Sequence, residues 1–140
     1  MKKVLGLAAI MLALSTASFA QKNVNAPASV KSSFAKDFPG MTTKWEKEGS
    51  NYEANFKQDG KTKSALYDAK GNKQESELDI KVSELPQTVK DYIAKNYKGE
   101  KIKEAAIITK ANGEVNYEAE VKGMDVLFTK DGKFIKTARQ

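Results

Sequence analysis

The chain has 140 residues, with 24 Lys and Arg against 18 Asp and Glu for a net charge of +6, and it contains no cysteine and no histidine. Those two absences exclude disulfides, thiolate sites, serine–histidine and cysteine–histidine nucleophile pairs, and zinc sites of the ordinary Cys/His kind. The basic residues are interleaved with acids, as in Lys44-Trp45-Glu46-Lys47-Glu48, and Arg139 is the single arginine, so the clustered basic face that nucleic acid requires is missing.

The chain opens on a pattern that predicts a cleaved signal peptide over residues 1–20. Lys2 and Lys3 form a basic start, residues 4–14 are apolar, and Ser18-Phe19-Ala20 supplies the small residues of a cleavage site, placing the cut after Ala20. The apolar run is about half of the roughly 20 residues a spanning helix needs. No stable membrane insertion is therefore expected after cleavage, and the protein is expected in the periplasm or the medium. The remainder, residues 21–140, has the length of one compact unit.

Residues 21–26 are polar and read as a terminus. A first helix follows, with Pro27 in its opening turn, a stripe of Val30, Phe34 and Phe38 at i, i+4, i+8, and a stop at Pro39-Gly40. Strands are predicted at 42–46, at 52–57 with Tyr52, Ala54 and Phe56 alternating onto one face, at 63–67, and, more polar, at 73–78. Turns separate them at 48–51, at Asp59-Gly60 and at 68–72. The plan then recurs. A second helix carries Val89, Tyr92, Ile93 and Tyr97, with Leu85 placed to staple onto Val89. Strands follow at 103–110, from Asn116 on, and around Val126 and Phe128.

The recurrence is visible letter by letter. At an offset of 59, Pro27, Val30, Lys31, Ala35, Lys36 and Gly40 match Pro86, Val89, Lys90, Ala94, Lys95 and Gly99. Asn51-Tyr52-Glu53-Ala54 returns as Asn116-Tyr117-Glu118-Ala119, and Gly71 returns as Gly132. The sequence thus reads as an α+β fold of two tandem α-β-β-β-β repeats, at residues 21–82 and 83–140. Each is expected to be a helix packed on one face of an antiparallel four-stranded sheet. Units of about 60 residues are marginal alone, so the two are expected to pack together or to share one continuous sheet. Tyr52, Ala54, Phe56, Ala65 and Tyr67 should face the first helix, and Tyr117, Ala119, Val121, Val126 and Phe128 the second.

A signal peptide followed by Pro-x-x-Val helices, the Trp45 strand, two Asn-Tyr-Glu-Ala strands and Leu85-Pro86 resembles the PepSY-like, beta-lactamase-inhibitor-like family of exported bacterial proteins. The likeness covers residues 26–136. It implies the two-repeat helix-and-sheet fold and a non-enzymatic binding protein of the envelope or medium, with inhibition or regulation of an envelope enzyme as one form of that role. No cofactor, metal or catalytic residue follows from it.

Candidate sites lie on the sheet face away from the helices. Glu53, Asn55 and Lys57 and then Glu118, Glu120 and Lys122 fall there, and Leu66 and Leu127 point the same way. Leu66, Leu127, Glu53, Glu118 and Glu120 are the candidate partner-binding residues, two apolar side chains in a charged frame. The same positions also read as a solvated face with scattered leucines. Trp45 reads as core over the first helix, or as a hot spot. Asp59-Gly60, Asp68 with Asn72, and Asp131-Gly132 lack the ligand spacing of a calcium loop and read as turns. Two other functions stay open: a small-molecule or ion carrier with its site between the repeats, and a hydrolase built on Ser/Lys or paired carboxylates, for which no local motif speaks.

Overall fold

The computed structural model describes residues 23–139; the expected signal segment and its cleavage after Ala20 lie outside the described residues. The elements run α1 (Ala28–Asp37), β1 (Lys44–Glu48), β2 (Asn51–Gln58), β3 (Lys61–Tyr67), β4 (Lys73–Ile80), a 3-10 turn (Val82–Glu84), α2 (Gln87–Asn96), β5 (Ile102–Lys110), β6 (Val115–Val121), β7 (Met124–Thr129) and β8 (Phe134–Arg139). The strands form one eight-stranded antiparallel meander in chain order. β4 pairs with β5 across the whole second helix, Leu78 opposite Ile107 and Asp79 opposite Ala106, so of the two arrangements expected for the four-stranded units the chain takes the one continuous sheet.

Both helices start and stop by the same chemistry. Pro27 and Pro86 sit at the N-caps with φ −56° and −54°, outside the first turn expected for Pro27 by one position. Phe38 and Tyr97 close the helices, their N–H groups donating to Phe34 O and Ile93 O at 2.8 Å. Gly40 and Gly99 then take φ of 75° and 78°, the left-handed conformation that glycine adopts without a Cβ clash. The β2–β3 and β6–β7 hairpins turn on Asp59-Gly60 and Lys122-Gly123, all four at positive φ, as two-residue turns that match strand twist require.

The ladder registers fix what each face carries. Trp45, Ala54, Ala65, Ser76 and Thr109 form one cross-strand row, and Ile80, Ala105, Ala119, Val126 and Thr137 form another on the same face. Both helices lie on this face. Val30 and Phe34 of α1 pack with Trp45, Ala54, Phe56, Ala65 and Tyr67. Val89 and Ile93 of α2 pack with Leu85, Ala105, Ala119, Val121, Val126 and Phe128. Trp45 is core, edge-on to the Phe34 ring at 5.5 Å between centroids. Each such burial contributes on the order of 1.5–3 kcal/mol.

Fully buried Tyr67 donates from its hydroxyl to Asp37 Oδ2 at 2.9 Å, and Lys73 Nζ stands 3.7 Å from the same oxygen. Tyr67→Phe is expected to cost about 1–2 kcal/mol, read as a lowered midpoint in thermal unfolding.

A candidate binding face on the open side of the sheet

Strand alternation puts the chain neighbours of the core residues on the other face of the sheet, where neither helix packs. Three cross-strand rows describe it. The first runs Glu46, Glu53, Leu66, Glu75, Lys110. The second runs Lys44, Asn55, Ser64, Glu77, Ile108, Asn116, Thr129. The third runs Asp79, Ala106, Glu118, Leu127, Lys136, with Glu104, Glu120 and Asp125 in the row beside it. Carboxylates thus fill the middle of the face on a chain that is basic overall. Lys110 and Lys136 stand beside the acids, Lys44 lies on the edge strand β1, and Lys103 Nζ reaches Glu120 Oε1 at 3.5 Å.

These side chains are not solvated in the ordinary way. Glu53, Glu77, Glu120 and Asp125 are 6%, 4%, 6% and 3% exposed. Among the described residues four buried acceptors on this face lack any hydrogen-bond partner: Glu48 Oε2, Glu53 Oε1, Glu77 Oε2 and Asn116 Oδ1. An orphaned buried acceptor carries the full desolvation penalty of the group, about 1–3 kcal/mol.

Desolvation and crowding together hold protons on the face. Burial, then the charge of Glu48, pushes Glu53 up to about 7, against a hydrogen bond from Ser64. Burial lifts Glu75 to about 7, with Lys110 opposing it. Burial, then Asp125, lifts Glu118 to about 8. Glu77 is raised well above the usual carboxylate range by burial and then by Glu118, Asp79, Glu53 and Glu75. Burial also raises Asp79 and Glu104.

The structure puts all five sequence candidates on this face, in two groups. Glu53 and Leu66 are direct partners on β2 and β3. Glu118 and Leu127 are direct partners on β6 and β7, with Glu120 beside them. Four strand spacings, roughly 19 Å, separate Leu66 from Leu127, so they are not one apolar spot. Leu66 is 4% exposed and Leu127 half-buried. The acids that join the two groups, Glu75, Glu77 and Asp79 on β4 and Glu104 on β5, were not among the candidates. Their signal was the acid at every second position of Glu75-Ser76-Glu77-Leu78-Asp79.

The helix side of the sheet carries one further feature. Between the two cores, Phe38, Lys63, Ser76, Leu78, Ile107 and Thr109 line a groove of about 150 Å³. Elsewhere, Asp68 accepts from the backbone N–H groups of Lys70 and Asn72 and from the Asn72 side chain at 2.9 Å, which makes it the organiser of a turn.

Comparison with known proteins is consistent with this architecture. Residues 50–136 match the family model described as "Putative beta-lactamase-inhibitor-like, PepSY-like". Similar solved structures include a candidate periplasmic protein of Bacteroides eggerthii, at TM-score 0.74 and 18% identity, covering 81% of this chain and 88% of that one. A DUF2874 family protein of Bacteroides uniformis is similar at TM-score 0.73 and 22% identity, covering 81% and 88%. A BLIP-like protein of Bacteroides fragilis is similar at TM-score 0.69 and 21% identity, covering 81% and 86%. At these identities the likeness is one of fold. No protein of curated function matches the chain.

Proposed function

The chain belongs to the PepSY-like, beta-lactamase-inhibitor-like family, and from that membership we propose that it is an exported, non-enzymatic binding module that engages a protein partner through the open face of its sheet. The partner is a protein of the envelope or the medium, and inhibition or regulation of an envelope enzyme is the form of the role that the family description supports. Export is supported by the signal-peptide pattern of residues 1–20 and by the likeness to a candidate periplasmic protein. We read residues 21–82 and 83–140 as a duplicated helix-and-four-strand unit, with the shared sheet as the surface that duplication made.

One observation carries this reading: Glu53, Glu77 and Asn116 present buried oxygens without donors on one uncovered face. A surface that keeps desolvated acceptors unpaired is suited to a partner that brings donors. The absence of histidine and cysteine from the sequence removes the commonest nucleophile and base pairs.

The test is capture from an envelope extract of the host by the chain from Gln21 onward. Leu66 is too buried to probe without unfolding, so the informative variant is Glu118→Gln with Leu127→Ala. A control reverses charge on the helix side, at exposed Lys36 and Lys95. The open-face variant should retain at least about tenfold less of a specific protein, equivalent to about 1.4 kcal/mol, while the control retains it fully. Equal retention by all three would remove the open face from the function.

A second reading is a small-molecule carrier. The groove between the two cores supports it, with an apolar floor of Leu78 and Ile107 and polar groups from Lys63, Ser76 and Thr109. Ligand-dependent stabilisation that is abolished by Ile107→Lys, with the open face intact, would favour it.

A further inference from the structure

On the open face, Ala106 is a small apolar side chain set among acids. Asp79 stands opposite it on β4 and Glu118 opposite it on β6. Glu77, Glu104 and Glu120 complete the wall of a pit of about 10 Å³. Alternation fixes these positions, and the short alanine leaves the space: any larger residue at 106 would fill it.

We propose that this pit receives the ε-ammonium group of a lysine side chain presented by the protein partner, with Asp79, Glu118 and the orphaned Glu77 carboxylate as its acceptors. The inference rests on the open face being the partner-binding surface.

Four observations converge on that chemistry. Glu77 lines the pit, is 4% exposed and its Oε2 has no partner, so a desolvated acceptor already stands in the wall. The chain's own cations do not satisfy it: Lys103 pairs with Glu120 at the rim, and among the described residues no ion pair reaches Glu77, Asp79 or Glu118. The volume is of the order of one water-sized sphere, which suits a compact ammonium and not the broad planar fork of a guanidinium. Finally, Asp79, Glu77, Glu104, Glu118 and Glu120 line the pit together, and among the described residues no three acidic side chains are disposed to hold a metal ion. An ammonium with three rotatable donors fits such a ring.

The groups that face the pit also determine its pH dependence. Glu77 sees Glu75 and Asp79 on its own strand, Glu53 from β2 and Glu118 from β6; Glu118 sees Asp125 from β7 and Glu120 beside it. Burial and this mutual repulsion keep protons on the free face. A bound cation favours the charged carboxylates, so docking releases protons, and affinity rises with pH as the acids ionise.

Calorimetric titration of the chain from Gln21 onward with amidated tetralysine and tetra-arginine tests the pit. At about pH 8.5 tetralysine should bind about tenfold more tightly than tetra-arginine, a difference of about 1.4 kcal/mol. Ala106→Leu should abolish that preference, and Glu118→Gln should weaken tetralysine at least fivefold. If Ala106→Leu fails to fold, Glu77→Gln provides the same readout. Equal affinity for the two peptides, or a preference that survives Ala106→Leu, overturns the proposal, as does tighter binding of spermidine than of tetralysine. In the capture experiment, a partner lost with Glu118→Gln/Leu127→Ala but kept by Ala106→Leu overturns the pit and leaves the open face standing. Retention by both overturns the open face itself.

Discussion

Gly71→Ala should lower the unfolding free energy by about 2–4 kcal/mol, a loss read directly from denaturant unfolding. Two effects combine. Gly71 has φ +88°, where a Cβ costs about 1–2 kcal/mol in any setting. In addition, the new Cβ would lie 2.7 Å from Ser29 O and 2.7 Å from Ser33 Oγ of α1. Ser29 O is helix backbone and cannot rotate away. The contact matters to the architecture, because Ser29 Oγ also donates to Ala69 O at 3.0 Å, so the β3–β4 turn is clamped on the first turn of α1. Gly132 stands in the same relation to Thr88 of α2. Gly60 supplies the control: its φ is +75°, but nothing lies within 4 Å of its added Cβ. Gly60→Ala should therefore cost only the conformational part, about 1–2 kcal/mol. A Gly71→Ala loss no larger than that of Gly60→Ala would contradict the clamp.

Glu77→Gln should stabilise the protein at about pH 8 by about 1–3 kcal/mol and change little at about pH 4. The sign follows from proton binding. Glu53, Glu75, Glu77 and Glu118 have folded values raised above their ordinary 4.5. Between 4.5 and the folded values the native state therefore binds more protons than the unfolded chain, and stability falls as pH rises. The contribution is fully present below the unfolded value and is lost through about 7 for Glu53 and Glu75 and about 8 for Glu118. An amide at 77 keeps the shape, never ionises, and removes one like charge from the lattice. The protein should accordingly be more stable at mildly acidic pH than at about pH 8.5. Unfolding curves for native and Glu77→Gln chains that differ equally at both pH values would exclude this coupling. On the proposed reading the open face would carry function at the expense of folding energy.

Much of the fold was legible because its signals are local. Pro27 and Pro86 mark helix starts, Gly40 and Gly99 mark ends, and the alternation Tyr52-Glu53-Ala54-Asn55-Phe56 gives both a strand and its buried side. The two cores follow from those periods, and Trp45 falls in the first of them. The pairing of β4 with β5 was not local: α2 and its flanking turns intervene, and nothing in the sequence between Ile80 and Ile102 specifies the register that sets Asp79 beside Ala106. That pairing is what assembles the site. Period-two reading assigned Glu53, Glu118 and Glu120 to the open face, whereas β4 read only as a polar strand, so Glu77 and Asp79 were passed over. Nor could alternation indicate that Glu53 or Leu66 would be 6% and 4% exposed, since burial depends on neighbours contributed by other strands.

Carboxyl carbon NMR, following the Glu77 and Glu118 side chains from about pH 4 to about pH 10 with and without tetralysine, tests most directly whether the open face is a desolvated acidic surface awaiting a cation. Glu118 should titrate near 8 in the free protein, Glu77 should titrate well above the ordinary carboxylate range, and both midpoints should fall when the peptide is bound. Midpoints near 4.5 that ignore the peptide would mean a solvated face of ordinary carboxylates, and would contradict both the binding surface and the pit.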